Sequence, residues 1–202
     1  RPGYIVDGAR TPFLKALGAR VPFTPVDLVE QFARPLLLRQ PFAPDTLDEV
    51  ILGCVNVVPE EMNPARIAAL RLGMGTAMTA FTVQINCGSG MQSIDTAYKY
   101  IRDGDSDLIL AGGTEALSHA PMVLKTEAVE WLAGLNAASS PQDYVRQLAS
   151  FGPGQFKPEI SLAKGLTDPI VGLSMGQTAE ILAKQFNISR EQADEYAVSS
   201  HQ

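Results

Sequence analysis

Along the 202 residues, short apolar runs alternate with stretches whose apolar positions recur three and four residues apart. Tyr4 to Val6, running into Asp7-Gly8, reads as a short buried strand ending in a turn, with Arg10 to Phe13 as loop. Thr24 then offers an N-cap, Pro25 suits the first helical position, and Asp27 puts negative charge in the first turn. Val29, Phe32, Ala33, Leu36 and Leu37 form one helical face, in which Pro35 predicts a kink. Val50 to Val55 is a second strand, Asn63-Pro64-Ala65-Arg66 opens a second helix through Ile67, Leu70 and Leu72, and Phe81 to Ile85 is a third strand. After the turn Asn86 to Met91, the spacing of Met91, Ile94, Ala97, Tyr98 and Ile101 predicts another helix. A fourth strand spans Asp107 to Ala111 and is closed by Gly112-Gly113. Strands alternating with helices predict an α/β layer fold on a mainly parallel sheet.

The alternation stops between about Ser118 and Gly172, where Gly, Pro, Ser and Lys separate short amphipathic pieces at Ala128 to Leu135 and Tyr144 to Phe151. This is the pattern of an inserted loop subdomain, or lid. A helical face returns with Ala179, Leu182, Ala183 and Phe186, stops near Asn187, and is followed by a capping box over Ser189 to Gln192 with Ile188 as a hydrophobic staple. Three regions are therefore expected: an α/β domain over 1–117, the lid over 118–172, and helices returning toward the core over 173–202.

Charge and composition narrow the function. With 16 basic and 22 acidic side chains the net charge is −6, which argues against binding nucleic acid by charge alone. An apolar fraction of 46% is enough for a sizeable core, and no run approaches the roughly 18 apolar residues of a membrane span. Two cysteines exclude a disulfide scaffold and lack the spaced company of a zinc site, so a cysteine that matters here matters by reactivity.

Cys87 falls where a strand turns into a helix, and a helix N-terminus favours a thiolate through its partial positive charge and unpaired N–H groups. Gly88 and Gly90 let backbone approach closely and could present an N–H to a developing oxyanion. The plain alternative is a small buried hydrophobe after a Gly-rich turn. A degenerate dinucleotide loop, G-x-G-x-x-S from Gly88 to Ser93, is a weaker rival, because Asp107 opens the next strand instead of closing it. Cys54 reads as a core thiol and Glu115 as a buried, hydrogen-bonded carboxylate of the fold. His119 reads as a polar loop residue and His201 as solvated surface.

Five segments occur in order: Asp7 to Phe13, Asn63 to Arg66, Asn86 to Gly90, Gly112 to Glu115, and Met175 to Glu180. Together they resemble the N-terminal half of a thiolase, an acetyl-CoA acyltransferase or acetyltransferase. The wording at Ser118 to Pro121 and Ser174 to Gln177 resembles most the fatty-acid β-oxidation type related to the trifunctional-complex β subunit. The resemblance implies a layered αβαβα fold of two similar halves, with the loop subdomain over the active site. It implies that Cys87 carries the acyl group of a 3-ketoacyl-CoA as a thioester, that Ser174 and Met175 bind substrate, and that Met175 lines the acyl pocket, although a Met beginning a helix is also ordinary core. The resemblance also implies coenzyme A and acyl-CoA as substrates, with no bound cofactor and no metal.

Implied partners are a second copy, as homodimer or dimer of dimers, and a subunit of a β-oxidation complex. The resemblance leaves bacterial cytoplasm and mitochondrial matrix both open. The family's acid/base histidine and second cysteine belong to a C-terminal half whose motifs are absent here, so these residues alone are not expected to turn over. Two alternatives are a thiolase-like protein that binds acyl-CoA or lipid without turnover, and a ketoacyl synthase relative, which Arg10 to Phe13 and Asn63 to Arg66 fit less well.

Overall fold

The computed structural model describes residues 1–16, 22–152 and 154–202, which form two compact units, Arg1–Pro121 and Met122–Gln202.

In the first unit, α1 (Pro25–Leu38) starts at a complete capping box: Thr24 Oγ1 accepts from Asp27 N, and the Asp27 carboxylate accepts from Thr24 N. That carboxyl is held below its ordinary range, first by the Thr24 amide, then by the Thr24 hydroxyl and the charge of Arg71. The expected helical face is the buried one, with Val29 and Ala33 wholly buried and Leu36 and Leu37 nearly so. Pro35 is accommodated inside the helix, on its exposed side near the last turn.

β1 (Glu49–Gly53) is the central strand of a parallel sheet of order β2-β1-β3, flanked by β2 (Thr79–Val83) and β3 (Ile109–Gly113). Val50 and Leu52 pack in one cluster with residues of α1 and of α2 (Pro64–Arg71). Ile51 is wholly buried but outside that cluster, on the alternate face of the strand. The helix α3 (Ser89–Asp103) contacts all three strands. A strand covered on both faces needs a continuous apolar run, and Val50-Ile51-Leu52 supplies it. α3 ends where Gly104, at φ 89°, turns left-handed and lets Asp105 N donate back to Tyr100 O.

Asn63, Arg66 and Thr82 clamp α2 to β2. Asn63 Oδ1 accepts from Thr82 Oγ1 and Arg66 N while Asn63 Nδ2 donates to Ala80 O. The Arg66 guanidinium donates to Met78 O and Thr76 O.

The second unit contains a short antiparallel ribbon, β4 (Met122–Val123) with β5 (Glu159–Ile160), and five helices among the described residues. α4 (Thr126–Ala137) and α5 (Pro141–Ala149) pack through Trp131, whose Nε1 donates to Gln147 O while Gln147 Nε2 donates to Trp131 O. Phe151 and Phe156 close an aromatic cluster, at 5.2 and 5.5 Å from the Trp131 ring. α6 (Ser161–Gly165) follows β5. α7 (Met175–Gln185) and α8 (Arg190–His201) each begin at a Ser-Gln capping box. Between them Asn187, at φ 53°, ends α7, with Ile188 N donating to Ala183 O.

Three expectations are corrected. Tyr4 to Val6 is not a strand: the segment is exposed and pairs with no strand among the described residues, and an apolar run becomes a strand only against an open ladder. It is held instead by its polar neighbours, since the Asp7 carboxylate accepts from Arg39 and Gln40, and Arg1 pairs with Asp107. The strand expected over 107–111 runs Ile109–Gly113, so Gly112 and Gly113 pair with Leu52 and Gly53 instead of closing the strand. The strand expected over 81–85 runs Thr79–Val83, which frees Gln84 to Gly88 for the turn.

Glu61 joins the helices: it is 4% exposed, its Oε1 accepts from Thr24 Oγ1 at 2.7 Å, and its Oε2 accepts from Val26 N at 3.0 Å. Glu61→Ala strands a buried backbone donor, and an expected loss of about 2 kcal/mol follows. Arg34→Ala, removing an exposed pair with Glu30, is expected to cost under ~0.5 kcal/mol. Urea midpoints of the two variants check the contrast.

Candidate active site

The residues after β2 are placed by a tight turn. Asn86 takes a left-handed φ of 55°, which Asn tolerates better than most side chains, and so reverses the chain directly before Cys87. Gly88 N donates to Ile85 O and Ser89 N to Asn86 O. The buried Ser89 hydroxyl bonds the turn twice more, donating to Asn86 O at 2.6 Å and accepting from Ile85 N at 3.0 Å. Gly88 is the N-cap of α3, so Cys87 stands one residue outside the helix, with its side chain exposed. The buried-hydrophobe alternative is thereby removed for Cys87.

The two candidate donor positions differ. Gly88 N is already turned to Ile85 O, at a long 3.3 Å. Gly90 lies in the first turn of α3, where helix geometry supplies amides with no intrahelical acceptor. A nucleophile, a helix N-terminus and a first-turn amide are what covalent acyl chemistry asks of a turn.

Cys54 is the opposite kind of thiol. It is 1% exposed at the end of β1, and burial, reinforced by the charge of Glu115, pushes it up to about 12. Glu115 accepts from Val55 N at 3.1 Å and Asn56 N at 3.0 Å, which bears out a hydrogen-bonded structural carboxylate, although the residue is exposed and not buried. In the second unit, Ser174 is the N-cap of α7, its Oγ accepting from Gln177 N, and Met175 begins that helix half-exposed. His119 ends a 3-10 turn in the first unit, and His201 ends α8 in the second.

A cavity of about 1380 Å³ runs beside the outer edge of β3, lined among others by Tyr4, Val6, Leu37, Tyr98, Leu110 and Cys87. That volume exceeds an ordinary small-molecule site. One wall is the outer edge of β3, which pairs with no strand among the described residues, so the cavity's size measures a sheet edge more than a substrate pocket.

An exposed thiol stands before the N-terminus of a helix that packs on a parallel sheet, in a protein of the α/β class. The match to the family model "Thiolase, N-terminal domain" over residues 3–202 makes it specific: the chain belongs to the thiolase family. It is 38% identical over 202 residues to the mitochondrial 3-ketoacyl-CoA thiolase of Rattus norvegicus, covering 98% of this chain and 46% of that protein. A probable acetyl-CoA acyltransferase of Staphylococcus epidermidis is 33% identical over 198 residues, covering 98% and 45%. Among solved structures, human mitochondrial 3-ketoacyl-CoA thiolase in complex with CoA aligns with a TM-score of 0.72 at 34% identity, over 90% of this chain and 41% of that one. The Bacillus anthracis acetyl-CoA acetyltransferase gives 0.71 at 34% identity, over 89% and 41%. The chain spans somewhat under half the length of these relatives.

The Asn63, Arg66 and Thr82 clamp was not visible as such in the sequence, although Asn63 to Arg66 stood out as a motif; nothing local marks Thr82 as its partner. Iodoacetamide at pH 8 is expected to label Cys87 and spare Cys54, read by peptide mass spectrometry. Equal labelling in the native state would contradict the assignment. Because folded Cys54 keeps its proton up to about 12 against an ordinary 9.0, its contribution to stability is full below pH 9 and is lost as the pH rises beyond it.

Proposed function

We propose that a protein carrying this chain is an acetyl-CoA C-acyltransferase that exchanges acyl groups between 3-ketoacyl-CoA and coenzyme A through a Cys87 thioester. The observation that carries this is the exposed Cys87 on its left-handed turn before α3, in a chain of the thiolase family. The Cys87 thiolate attacks the 3-keto carbon, the bond between C2 and C3 breaks, and its electron pair leaves as the enolate of acetyl-CoA, which takes up a proton. The acyl group stays on Sγ. The thiolate of free coenzyme A then attacks the thioester carbonyl, releasing acyl-CoA and restoring Cys87. Run backwards from acetyl-CoA, the same steps form the carbon–carbon bond.

The remaining assignments belong to this reading. Gly90 offers an amide donor near the reacting oxygen, while Gly88, whose amide is bonded to Ile85 O, shapes the turn. Ser174 and Met175 bind substrate, Met175 lining the acyl pocket, and the region over 118–172 shapes the entrance for acyl-CoA or coenzyme A. A homodimer forms with β2 near the contact, supported by the position of β2 at the sheet edge, since natural edges are paired or covered. Association with a further β-oxidation subunit rests on the wording of Ser118 to Pro121 and Ser174 to Gln177 alone.

The complete protein incubated with a 3-ketoacyl-CoA and digested is expected to yield an acylated Cys87 peptide. Cys87→Ala is expected to lose both the adduct and thiolysis while keeping the fold. Undiminished turnover in that variant would overturn the reading, and acyl-CoA binding with no adduct on the wild type would favour a non-catalytic binder.

The reaction also needs a base for the thiol and an acid for the enolate, and the turn supplies neither. The 202-residue chain by itself is expected to show no thiolysis in a thioester-absorbance assay, with activity appearing when the C-terminal half is added. Robust turnover by the isolated chain would show that the acid/base groups lie within these residues.

A further inference from the structure

We infer that Gly53 is a positioning residue for Cys87: the missing side chain at the end of β1 lets the first turn of α3 sit directly on the sheet, and that seat sets where the nucleophile stands. The inference rests on Cys87 as the nucleophile proposed above.

A Cβ on Gly53 would lie 2.3 Å from the carbonyl carbon of Ser89, 2.4 Å from its oxygen and 2.5 Å from Gly90 N. All three are backbone atoms of the first helical residues, so no side chain can swing aside to make room. Gly113, the register partner of Gly53 on β3, repeats the contact more mildly, its Cβ position lying 3.2 Å from Gly90 Cα. The helix therefore rests at backbone distance on two neighbouring strands.

It cannot simply slide along the sheet to relieve a clash. Ser93 is fully buried, and its Oγ lies 2.7 Å from Gly90 O and 2.6 Å from Gly112 O, tying the same turn to β3. On the other side, the Ser89 hydroxyl ties the helix start to Ile85 and Asn86, the two residues before Cys87. A methyl group at Gly53 must then lift the Ser89-Gly90 backbone, and the bonds from Ser89 carry that displacement into the Cys87 turn. Gly53 touches no substrate in this account; it acts through the position of Sγ.

The test compares Gly53→Ala and Gly113→Ala in the complete protein. Folding is read by circular dichroism and melting temperature. The rate of Cys87 acylation is read by rapid-quench mass spectrometry at saturating 3-ketoacyl-CoA, and KM separately. A shift of the order of 1 Å in a reacting atom costs about 100-fold in rate. Folded Gly53→Ala is therefore expected to lose about 100-fold in acylation rate with KM little changed, and Gly113→Ala to lose less, in the order of their clashes.

A folded Gly53→Ala that acylates at the wild-type rate, with or without a lower melting temperature, overturns the inference and leaves Gly53 a packing residue. Should Gly53→Ala fail to fold, Gly113→Ala decides: slowed acylation in a folded protein supports the seat, and a wild-type rate overturns it. Failure of the underlying reading is distinguishable, since it shows as undiminished turnover in Cys87→Ala.

Discussion

The arrangement around Cys87 depends on one close approach, the first turn of α3 against the C-terminal ends of β1 and β3. Backbone meets backbone there, and the contact is possible because Gly53 and Gly113 add no Cβ between helix and sheet. Elsewhere in the first unit, layers are held apart by side chains such as Val50, Leu52 and Leu36, and small changes in packing are absorbed by rotamers. At the α3 turn there are no rotamers to adjust. The same feature makes the position of the turn definite and its tolerance of substitution small.

Polar groups finish what the close approach begins. Ser89 and Ser93 are both buried, and each spends its hydroxyl on backbone carbonyls of the turn or of β3. Asn86 supplies the left-handed residue that reverses the chain without a glycine. Cys87 is left outside all of these bonds, exposed beside the helix N-terminus. Cys54 shows what the same side chain becomes a strand away, where burial and the charge of Glu115 hold the proton on sulfur. The fold thus separates two chemically identical groups into one kept inert and one presented.

Much of this was legible in the sequence where local chemistry decides. Thr24-Pro25, Asn63-Pro64 and Ser189 to Gln192 announced helix starts because capping satisfies amides within three residues, and all three formed as expected. The turn at Cys87 was legible from the change in apolar spacing on either side of it, since α3 starts after Gly88 with no side-chain cap. What depends on distant partners was not. Tyr4 to Val6 has the composition of a strand, but no ladder meets it among the described residues. Gly112-Gly113 looked like a stop, yet a strand accepts glycines where another backbone needs to come close, as Gly90 does here. Gly53 lay inside the strand expected over Val50 to Val55, which in fact ends there, and carried no sequence sign of its role, because what it accommodates lies 36 positions further on. In the second unit the helices and their caps were readable. Only Ala128 is a fully buried hydrophobic side chain among its described residues, so its amphipathic patterns predicted helices without predicting a core.

The central claim is that this turn presents Cys87 as the acyl carrier, and a crystal structure of the complete protein flash-cooled after exposure to a 3-ketoacyl-CoA tests it most directly. The account predicts continuous electron density from Cys87 Sγ to an acyl carbon, with α3 still seated on Gly53. An unmodified Cys87 beside an acyl group covalently bound to another residue would contradict it.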